Sequence, residues 1–357
     1  MVRLFTAGGV IIDNVVSADG AVQREMLGGN GVYSAAGARL WLDDVGIVAL
    51  VPHNYPRRWL ATLQDAGIDT AGITSLPQSV DCTEWMFYRK DGSRVDHLYA
   101  EPGSFEAFGL SGDTLDPDQA AAFEEHLRAR PPDGDDYASF RRRNPVRSTD
   151  VPTHYRSAQG VHLAPNLPAA QYAMARELRA TGRIITLDPG FHASELAAGP
   201  LSELLPLLDA VLPSEQELRV MAPRRSHADG LTSLIAAGAP VAVVKLGAAG
   251  AMLASRTQPA PLLVPVFEVE AIDPTGAGDA FCGGFLAGLM ATGDALCAVL
   301  CGTASASFAV ESFGPLRLLA ARRDEVLARW RTLARRCELP QAEQRFSELM
   351  ALRHPIP

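Results

Sequence analysis

A glycine-rich turn followed at once by a carboxylate is the feature of this chain best suited to chemistry. Within residues 271–284, Gly276 and Gly278 flank Ala277, and Asp279 comes next. Glycines let the backbone turn sharply and bring its N–H groups close to a ligand. A helix predicted to begin here adds unpaired N–H donors and a partial positive charge, so the turn is predicted to bind an anion. A carboxylate would repel a phosphate that is merely held, which suggests that the phosphate is transferred and that Asp279 handles its acceptor.

Phosphoryl transfer from a nucleotide to an alcohol is the reaction that fits this arrangement. Its transition state is loose, so positioning and charge stabilisation dominate catalysis. The backbone N–H groups of Gly276, Ala277 and Gly278 would face the developing charge, and losing one such donor typically costs about 10²–10³ in rate. Asp279 would accept the proton of the attacking hydroxyl. The alternative is that Asp279 simply caps its helix, and the turn and the motifs described below favour the catalytic role.

Alternating apolar runs and helical stretches must hold this turn in place. Continuous β-branched runs separated by helices predict a mostly parallel sheet that is covered on both faces. A hairpin is predicted over Thr83–Tyr99, a polar surface insertion over residues 111–157, and an arginine-rich amphipathic helix over Leu316–Arg336. The predicted strands are Leu4–Ile12, Val45–Val51, Gly160–Leu163, Ile184–Leu187, Ala210–Leu212 and Val241–Leu246, and the predicted helices are Gly31–Trp41, Pro56–Ala66, Ala169–Thr181, Ser214–Met221 and Ala277–Ala291.

Composition excludes several classes of function. With 357 residues, 47% of them hydrophobic and 20% charged, the chain can bury a sizeable core. Its net charge of −9 argues against nucleic acid as the main partner. No export signal and no membrane-spanning stretch is recognised, and the five cysteines lack the CxxC spacing of a metal site. The sequence therefore predicts a cytoplasmic protein that binds neither nucleic acid nor membranes.

Asp273–Asp279 resembles the C-terminal signature of the ribokinase-like (PfkB) carbohydrate kinases. Weaker motifs follow in the family's order over nearly the whole chain. Gly28–Gly31, followed by the small-residue stretch Ser34–Ala38, resembles the N-terminal di-glycine signature. Pro213–Glu217 resembles the N-x-x-E segment, and Val244–Gly250 resembles the strand and turn that approach the nucleotide. The resemblance implies a three-layer ribokinase-like α/β fold with a mostly parallel central sheet and a small β lid.

The same resemblance implies a domain organisation. One kinase domain would span residues 1–340, with a lid formed by residues 13–27 and 81–100 and with residues 111–157 as a surface insertion. Residues 341–357 would form a C-terminal tail. Exposed lid strands can pair with a second subunit, so a homodimer through the lid is an expectation of this arrangement.

The acceptor, by the same resemblance, would be a sugar-like molecule held by Asp13, because carboxylates make strong hydrogen bonds to hydroxyls. A simple loop cap is the alternative role for Asp13. Closing a lid over the acceptor would exclude water. The hairpin residues that could shape this lid are Glu84, Trp85, Phe87, Arg94 and Tyr99. The other residues implied at the acceptor are Gly28, Gly29, Asn30 and Tyr33.

On the donor side the resemblance implies ATP as co-substrate, Mg²⁺, and a monovalent cation such as K⁺. Glu217 would organise Mg²⁺ through water, since this ion gives up its hydration reluctantly; an ordinary helix-surface glutamate is the alternative. Lys245 either contacts a nucleotide phosphate or only ends its strand. Asp188 follows a strand where ligands collect in open α/β sheets, or only makes a turn. The remaining implied residues are Gly247, Gly250 and Thr275 for the nucleotide, and Asp273, Thr275, Ala309 and Gly314 for the monovalent cation.

Three positions depart from the family pattern. Tyr33 stands where many relatives carry an asparagine that faces the sugar, and Ser214 replaces the asparagine of N-x-x-E. Gly190 and His192 stand where an asparagine and an arginine are common. The acceptor is therefore left open: a sugar is favoured, a nucleoside is the second hypothesis, and a non-catalytic binding or regulatory protein of the same fold is the third. An apolar, aromatic lid would favour a base, whereas clustered polar groups would favour a sugar.

Overall fold

The strands of the protein form one large sheet and one small sheet. A computed structural model describes residues 1–89, 94–96 and 136–353. The predicted hairpin turn at residues 91–92, Tyr99 and the first part of the predicted insertion lie outside the described residues. The described strands are β1 (Leu4–Ala7), β2 (Ile11–Val16), β3 (Val22–Gly28), β4 (Val45–Pro52), β5 (Ile68–Leu76), β6 (Thr83–Tyr88), β7 (Arg94–Asp96), β8 (Gly160–Leu163), β9 (Ile184–Leu187), β10 (Ala210–Val211), β11 (Val241–Lys245), β12 (Ala251–Ser255) and β13 (Leu262–Val264).

The large sheet has nine strands in the order β13-β12-β11-β10-β9-β8-β1-β4-β5. The strands from β11 to β5 run parallel, while β12 and β13 continue the sheet in antiparallel fashion. The carboxyl ends of β1, β8, β9, β10 and β11 therefore meet at one edge, where open α/β sheets bind ligands. The predicted strands over Val45–Val51, Gly160–Leu163, Ile184–Leu187, Ala210–Leu212 and Val241–Leu246 are confirmed to within a residue at each end.

Helices cover both faces of the large sheet, as predicted. Neighbouring residues of β1 point to opposite sides, with Leu4 in one apolar core cluster and Phe5 in the other. The described helices are α1 (Asn30–Arg39), α2 (Arg57–Asp65), α3 (Tyr137–Arg143), α4 (Pro168–Arg179), α5 (Ala193–Ala198), α6 (Leu201–Leu204), α7 (Glu215–Met221), α8 (His227–Ala236), α9 (Ala277–Thr292), α10 (Ala295–Ala309), α11 (Leu316–Leu319), α12 (Arg323–Arg336) and α13 (Ala342–Arg353). Short 3₁₀ turns lie at Ser148–Asp150, Thr153–Tyr155, Gly190–His192, Leu205–Leu207 and Gly247–Ala249.

Helix α1 packs directly on the backbone of α9, which begins at the glycine-rich turn. A Cβ atom on Gly37 would lie 2.1 Å from the carbonyl oxygen of Ala280, and one on Gly283 would lie 1.8 Å from that of Ser34. The small residues of Ser34–Ala38 therefore have a packing role, because only glycine permits this approach. The contact fixes the di-glycine segment relative to the turn.

The small sheet has the order β3-β2-β6-β7. Strand β2 pairs antiparallel with β3 and parallel with β6, and β6 pairs antiparallel with β7. The described strands of the predicted hairpin over Thr83–Tyr99 thus pair as a hairpin does. Its residues coincide with those predicted for the lid.

Two predicted elements are divided in the structure. The strand predicted over Leu4–Ile12 is two strands, because the chain leaves the large sheet at Gly8 and Gly9 and β2 joins the small one. The helix predicted over Leu316–Arg336 is also two: α11 ends at Leu319, and α12 begins after Arg322, whose N–H donates to Glu325 Oε2 at 3.3 Å.

The segments predicted as insertion and tail contain packed structure. Of the insertion over residues 111–157, the described part includes α3, and Tyr137, Phe140 and Tyr155 are fully buried. Residues 342–353 of the predicted tail form α13, in which Leu349 is buried. Within the described ranges, no helix combines the length and apolarity needed to cross a membrane.

Candidate active site

The predicted anion turn forms the start of α9. Gly276 is the N-cap residue in the left-handed conformation, with φ 73°, and Ala277, Gly278 and Asp279 form the first turn. A side chain on Gly276 would be strained by its φ, and its Cβ would lie 2.2 Å from the ring of Tyr33. The N–H of Ala277 donates to the carbonyl oxygen of Pro274 at 3.2 Å, whereas the N–H groups of Gly276 and Gly278 have no carbonyl of the helix to bind. The turn can therefore receive an anion at its open side.

The Asp279 carboxyl is half-buried and is one of the groups that line the cleft beside this turn. Burial raises its pKa to about 7, and the nearby Asp188 carboxylate adds to the rise. The positive charges of Lys245 and Arg94 oppose it. A carboxyl group with this pKa is a better proton acceptor near neutral pH than an ordinary aspartate.

Lys245 and Asp188 form a buried ion pair below the turn. Lys245 Nζ lies 2.5 Å from Asp188 Oδ2, and 12% and 5% of the two side chains are exposed. Cys282 Sγ lies 3.6 Å from each of the two groups. A Cβ on Gly278 would lie 3.5 Å from Lys245 Nζ, so the ammonium group is next to the anion turn. Lys245 is therefore a buried group beside the turn and not a surface residue, and its contact with a nucleotide phosphate stays a prediction.

Glu217 lies on the same side of the cleft, in the first turn of α7. Its Oε2 accepts the N–H of Ser214 at 2.7 Å, and Ser214 Oγ accepts the N–H of Glu217 at 3.3 Å, which closes a capping box. Burial raises the pKa of Glu217 to about 7, Asp188 raises it further and Lys245 lowers it. The serine that departs from the N-x-x-E pattern therefore helps to orient Glu217.

An open cleft lies between the small sheet, the turn and α3. Its lining is rich in polar and charged groups together with a few aromatic rings. The lining residues are Gly9, Ile11, Asp13, Gly29, Asn30, Tyr33, Glu84, Met86, Arg94, Asp96, Tyr137, Arg141, Phe191, Thr275, Gly276 and Asp279.

Asp13 is a buried carboxyl group at the floor of the cleft. Its Oδ1 has no hydrogen-bond partner among the described residues, and the same holds for the hydroxyl of Tyr33. Burial raises the pKa of Asp13 to about 8, Asp273 adds to the rise, and Arg94 lowers it. A Cβ on Gly28 would lie 1.9 Å from Asp13 Cγ, so this glycine leaves the space that the carboxyl group occupies.

Asn30 connects the di-glycine segment to the end of β1. Its Oδ1 accepts the N–H of Gly9 at 2.6 Å, while the N–H of Gly31 donates to the carbonyl oxygen of Gly9 at 3.0 Å. Gly29, with φ 104°, makes the close turn between these contacts. Asn30 and Gly29 therefore hold the segment around Asp13 and also line the cleft.

Three of the residues predicted for a monovalent cation, Asp273, Thr275 and Gly314, lie near one another just before the turn. Asp273 Oδ1 accepts the N–H of Thr275 at 2.9 Å, whereas its Oδ2 is buried without a partner in the described part of the chain. Burial raises the pKa of Asp273, and the neighbouring Thr275 and the backbone of Gly314 lower it. Ala309 ends α10 and is buried just before this loop.

Two predicted nucleotide residues are not part of the cleft. Gly247 has φ 57° and faces open space, and a Cβ on Gly250 would lie 2.1 Å from the carbonyl oxygen of Val264. Gly250 therefore allows the close pairing of β12 and β13. Neither contact tests whether a bound nucleotide would reach these glycines, so their role stays a prediction.

Sequence reasoning missed part of the cleft. Tyr137 and Arg141 come from the segment predicted as a surface insertion, yet they line the cleft and Arg141 donates to the carbonyl oxygen of Pro165 at 2.7 Å. Within β6, alternation sends Glu84 and Met86 toward the cleft, while Trp85 and Phe87 stack on each other at 6.1 Å. The register of β6 decides which of its residues face the cleft, and a single sequence does not reveal that register.

Residues 153–320 match the family described as pfkB family carbohydrate kinase. The chain is 26% identical over 292 residues to a cytidine kinase of Thermococcus kodakarensis, covering 81% of this chain and 88% of the relative.

Solved structures share the fold. A ribokinase II of E. coli in complex with ATP and Mg²⁺ superposes with a TM-score of 0.64 at 19% identity, over 93% of this chain and all (100%) of the other. A nucleoside kinase of Burkholderia thailandensis in complex with inosine gives a TM-score of 0.66 at 17% identity, over 92% and 96% of the two chains. With the turn and the two sheets described above, these matches show that the chain has the ribokinase-like fold, and residues 153–320 carry the match to the pfkB family carbohydrate kinases.

Proposed function

We propose that this kinase transfers the γ-phosphoryl group of ATP to a hydroxyl of a sugar, or of the sugar part of a nucleoside, with Asp279 as the base. One observation carries the proposal: Asp279 shares the first turn of α9 with the anion turn and lines the same cleft as Asp13. The phosphoryl acceptor and the base would thus meet where the charge develops.

In this step the acceptor oxygen forms a bond to the γ-phosphorus, and the bond from that phosphorus to the bridging oxygen of ADP breaks. The proton of the acceptor hydroxyl passes to a carboxylate oxygen of Asp279. The N–H groups of Gly276, Ala277 and Gly278 would stabilise the charge on the transferred group. Lys245, held beside Gly278 by Asp188, would add a positive charge on the nucleotide side.

The polar lining of the cleft supports a sugar as the acceptor. Asp13, Glu84 and Asp96 offer carboxyl oxygens to hydroxyl donors, and Arg94 offers N–H donors to hydroxyl oxygens. The unpartnered Asp13 Oδ1 is a buried group that a bound hydroxyl would satisfy. These groups match a molecule with several hydroxyls.

A nucleoside is the second candidate, and the aromatic residues favour it. Phe191 and Tyr137 stand at the same cleft as the carboxylates, so a base attached to the sugar would meet apolar rings. The cytidine kinase and the inosine-bound nucleoside kinase named above are kinases of this kind. Ribose is common to both candidates.

The ions implied by the family fit residues of this chain. Asp188 and Glu217 would hold Mg²⁺ through water, although the described residues contain no group of three or more ligating side chains. Bound Mg²⁺ neutralises charge on the nucleotide phosphates. The buried, unpartnered Asp273 Oδ2, with Thr275, Ala309 and Gly314 around it, would hold K⁺.

A coupled assay of ADP release tests the proposal against a panel of sugars and nucleosides, with ATP and Mg²⁺. We expect one group of acceptors to stimulate ADP release, and Asp279→Asn to lower kcat by about 10²–10⁴. Asp229→Asn is the matched control, since Asp229 holds the same position in the first turn of α8 but is exposed and outside the cleft. Unchanged turnover in Asp279→Asn would remove the proposed base, and no stimulation by any acceptor would favour the non-catalytic hypothesis.

A further inference from the structure

A chain of contacts links the small sheet to the loop before the anion turn. Arg94 Nη1 lies 3.1 Å from the hydroxyl oxygen of Tyr88, and this oxygen lies 2.9 Å from Thr275 Oγ1. The backbone N–H of Thr275 in turn donates to Asp273 Oδ1 at 2.9 Å. Arg94 and Tyr88 belong to β7 and β6, whereas Thr275 directly precedes Gly276. The linked residues are therefore far apart in the sequence but adjacent in the fold.

Thr275 joins the two ends of this chain. An arginine can only donate, so Tyr88 accepts from Arg94, and the hydroxyls of Tyr88 and Thr275 share the next hydrogen bond. Thr275 therefore contacts the small sheet through its hydroxyl and Asp273 through its backbone N–H.

An apolar contact also connects the small sheet to the segments around Asp273. Val15, Met86 and Tyr88 of the small sheet form a buried cluster, against which Met26 and Phe313 pack. Phe313 belongs to the loop that ends at Gly314, next to Asp273. The small sheet thus contacts both segments that surround Asp273.

We propose that Tyr88 is a positioning residue, which makes the geometry of the anion turn depend on the small sheet lying over the acceptor. Its hydroxyl holds Thr275, and Thr275 sets the backbone that leads into Gly276. Arg94, at the other end, lines the acceptor cleft. Acceptor bound against Arg94 and the small sheet therefore stabilises the same arrangement that aligns the N–H groups of the turn.

The consequence is a preference for transfer over hydrolysis. Without the Tyr88 hydroxyl, Thr275 would lose this hydrogen bond, and the geometry of the turn would no longer depend on whether the small sheet covers an acceptor. Water could then replace the acceptor hydroxyl as the nucleophile at the γ-phosphorus, while the same bond to ADP breaks. The ratio of acceptor-independent ADP release to phosphoryl transfer measures this loss directly.

This inference rests on the proposed function, and Tyr88→Phe tests it with ribose and cytidine as acceptors. We expect kcat for transfer to fall roughly 5- to 100-fold, since a buried Thr275 hydroxyl loses its partner. The acceptor KM should change less, and the share of ADP released without transfer should rise several-fold. Tyr172→Phe is the matched control. It removes a hydroxyl of α4 that donates to Glu203 at the exposed surface.

Thr275→Val removes the same hydrogen bond from the other side, and Thr275→Ser keeps it. We expect Thr275→Val to repeat the effect of Tyr88→Phe, the double variant to be no worse than either single one, and Thr275→Ser to restore coupling. Additive effects, or a fall in kcat with an unchanged hydrolysis share, would overturn the proposal. If neither acceptor is phosphorylated, thermal unfolding of the same variants still decides whether Tyr88 and Thr275 are coupled, separately from the reaction.

Discussion

Asp279 combines two properties that are hard to combine in one carboxyl group. As the proposed base it would have to be ionised to accept a proton, yet burial and the neighbouring Asp188 raise its pKa to about 7. Lys245 and Arg94 oppose the rise, so the two cations of the site keep the base usable near neutral pH. A raised pKa also makes the base stronger, which suits a transfer in which the proton leaves late.

The pH dependence of kcat/KM should show this raised pKa. In the free enzyme the active, ionised form of Asp279 grows as pH rises, so kcat/KM for the acceptor should increase up to a midpoint near pH 7 and level off above it. The measurement is a rate profile from pH 5 to pH 9 in buffers of constant ionic strength. A midpoint near 4, as for an unshifted aspartate, would contradict the environment described for Asp279.

The pH dependence of folding stability should have the opposite sign to that of kcat/KM. The unfolded carboxyl ionises near 3.8 and the folded one near 7, so the folded state holds the extra proton between these values. The contribution of Asp279 to stability is therefore present at low pH and is lost as pH rises through 7. Asp279→Asn should accordingly gain melting temperature relative to the natural enzyme above pH 7, while it loses turnover.

At the scale of elements, α9 begins and ends at a glycine in the left-handed conformation. Gly276 at its start has φ 73°, and Gly293 at its end has φ 63°. The two differ in what surrounds them: a Cβ on Gly276 would meet the ring of Tyr33 at 2.2 Å, whereas one on Gly293 would meet nothing within 4 Å. Substitutions at the two glycines therefore separate the cost of backbone strain, which both share, from the effect of packing against Tyr33, which only Gly276 has.

We expect Gly293→Ala to cost about 1–2 kcal/mol of stability from the left-handed backbone alone, with kcat unchanged. Gly276→Ala should cost more and should lower kcat at least 10²-fold, because Tyr33 must move and the turn must open. Chemical unfolding and the coupled assay measure both effects. Equal losses of kcat in the two variants would show that the contact between Tyr33 and Gly276 does not shape the anion turn.

The elements also show what the sequence could predict. The turn at Gly276–Asp279 was predictable because its signals are local: two glycines, a helix start and a carboxylate. The parallel strands were predictable from their continuous apolar runs. Gly8 and Gly9, in contrast, divide one apolar run between two sheets, and only the tertiary contact of Gly9 with Asn30 shows why. The chain from Arg94 to Asp273 could not be predicted, since it depends on the register of β6 and β7.

At the scale of the whole molecule, the small sheet, proposed as the lid, presents β3 and β7 as its outer strands. The outer strand β3 carries the exposed charges Arg24 and Glu25, and such charges discourage edge-to-edge pairing. The N–H of Glu25 is also bound by Asn14 Oδ1 at 2.6 Å. The homodimer through the lid stays a prediction, and these features make β3 the less suitable edge for it.

In the proposed function, the acceptor and nucleotide sites would meet at Asp279 but would use different parts of the fold. The small sheet and Asp13 would form the acceptor side, and Lys245, Glu217 and the start of α9 would form the nucleotide side. Binding to the folded state alone stabilises a protein by about 2.7 kcal/mol at a ligand concentration 100 times its Kd. Each ligand should therefore raise the melting temperature. A substitution on one side of the site should reduce only the shift caused by the ligand that binds there.

This division gives a prediction for thermal unfolding. A non-hydrolysable ATP analogue with Mg²⁺ should raise the melting temperature by a few degrees both in the natural enzyme and in Asp13→Asn. The acceptor identified in the assay should raise it in the natural enzyme but much less in Asp13→Asn, because only that variant loses the carboxylate that binds hydroxyls. If Asp13→Asn abolished the nucleotide shift as well, the two sites would not be separate parts of the fold, and Asp13 would act on the whole cleft instead of the acceptor alone.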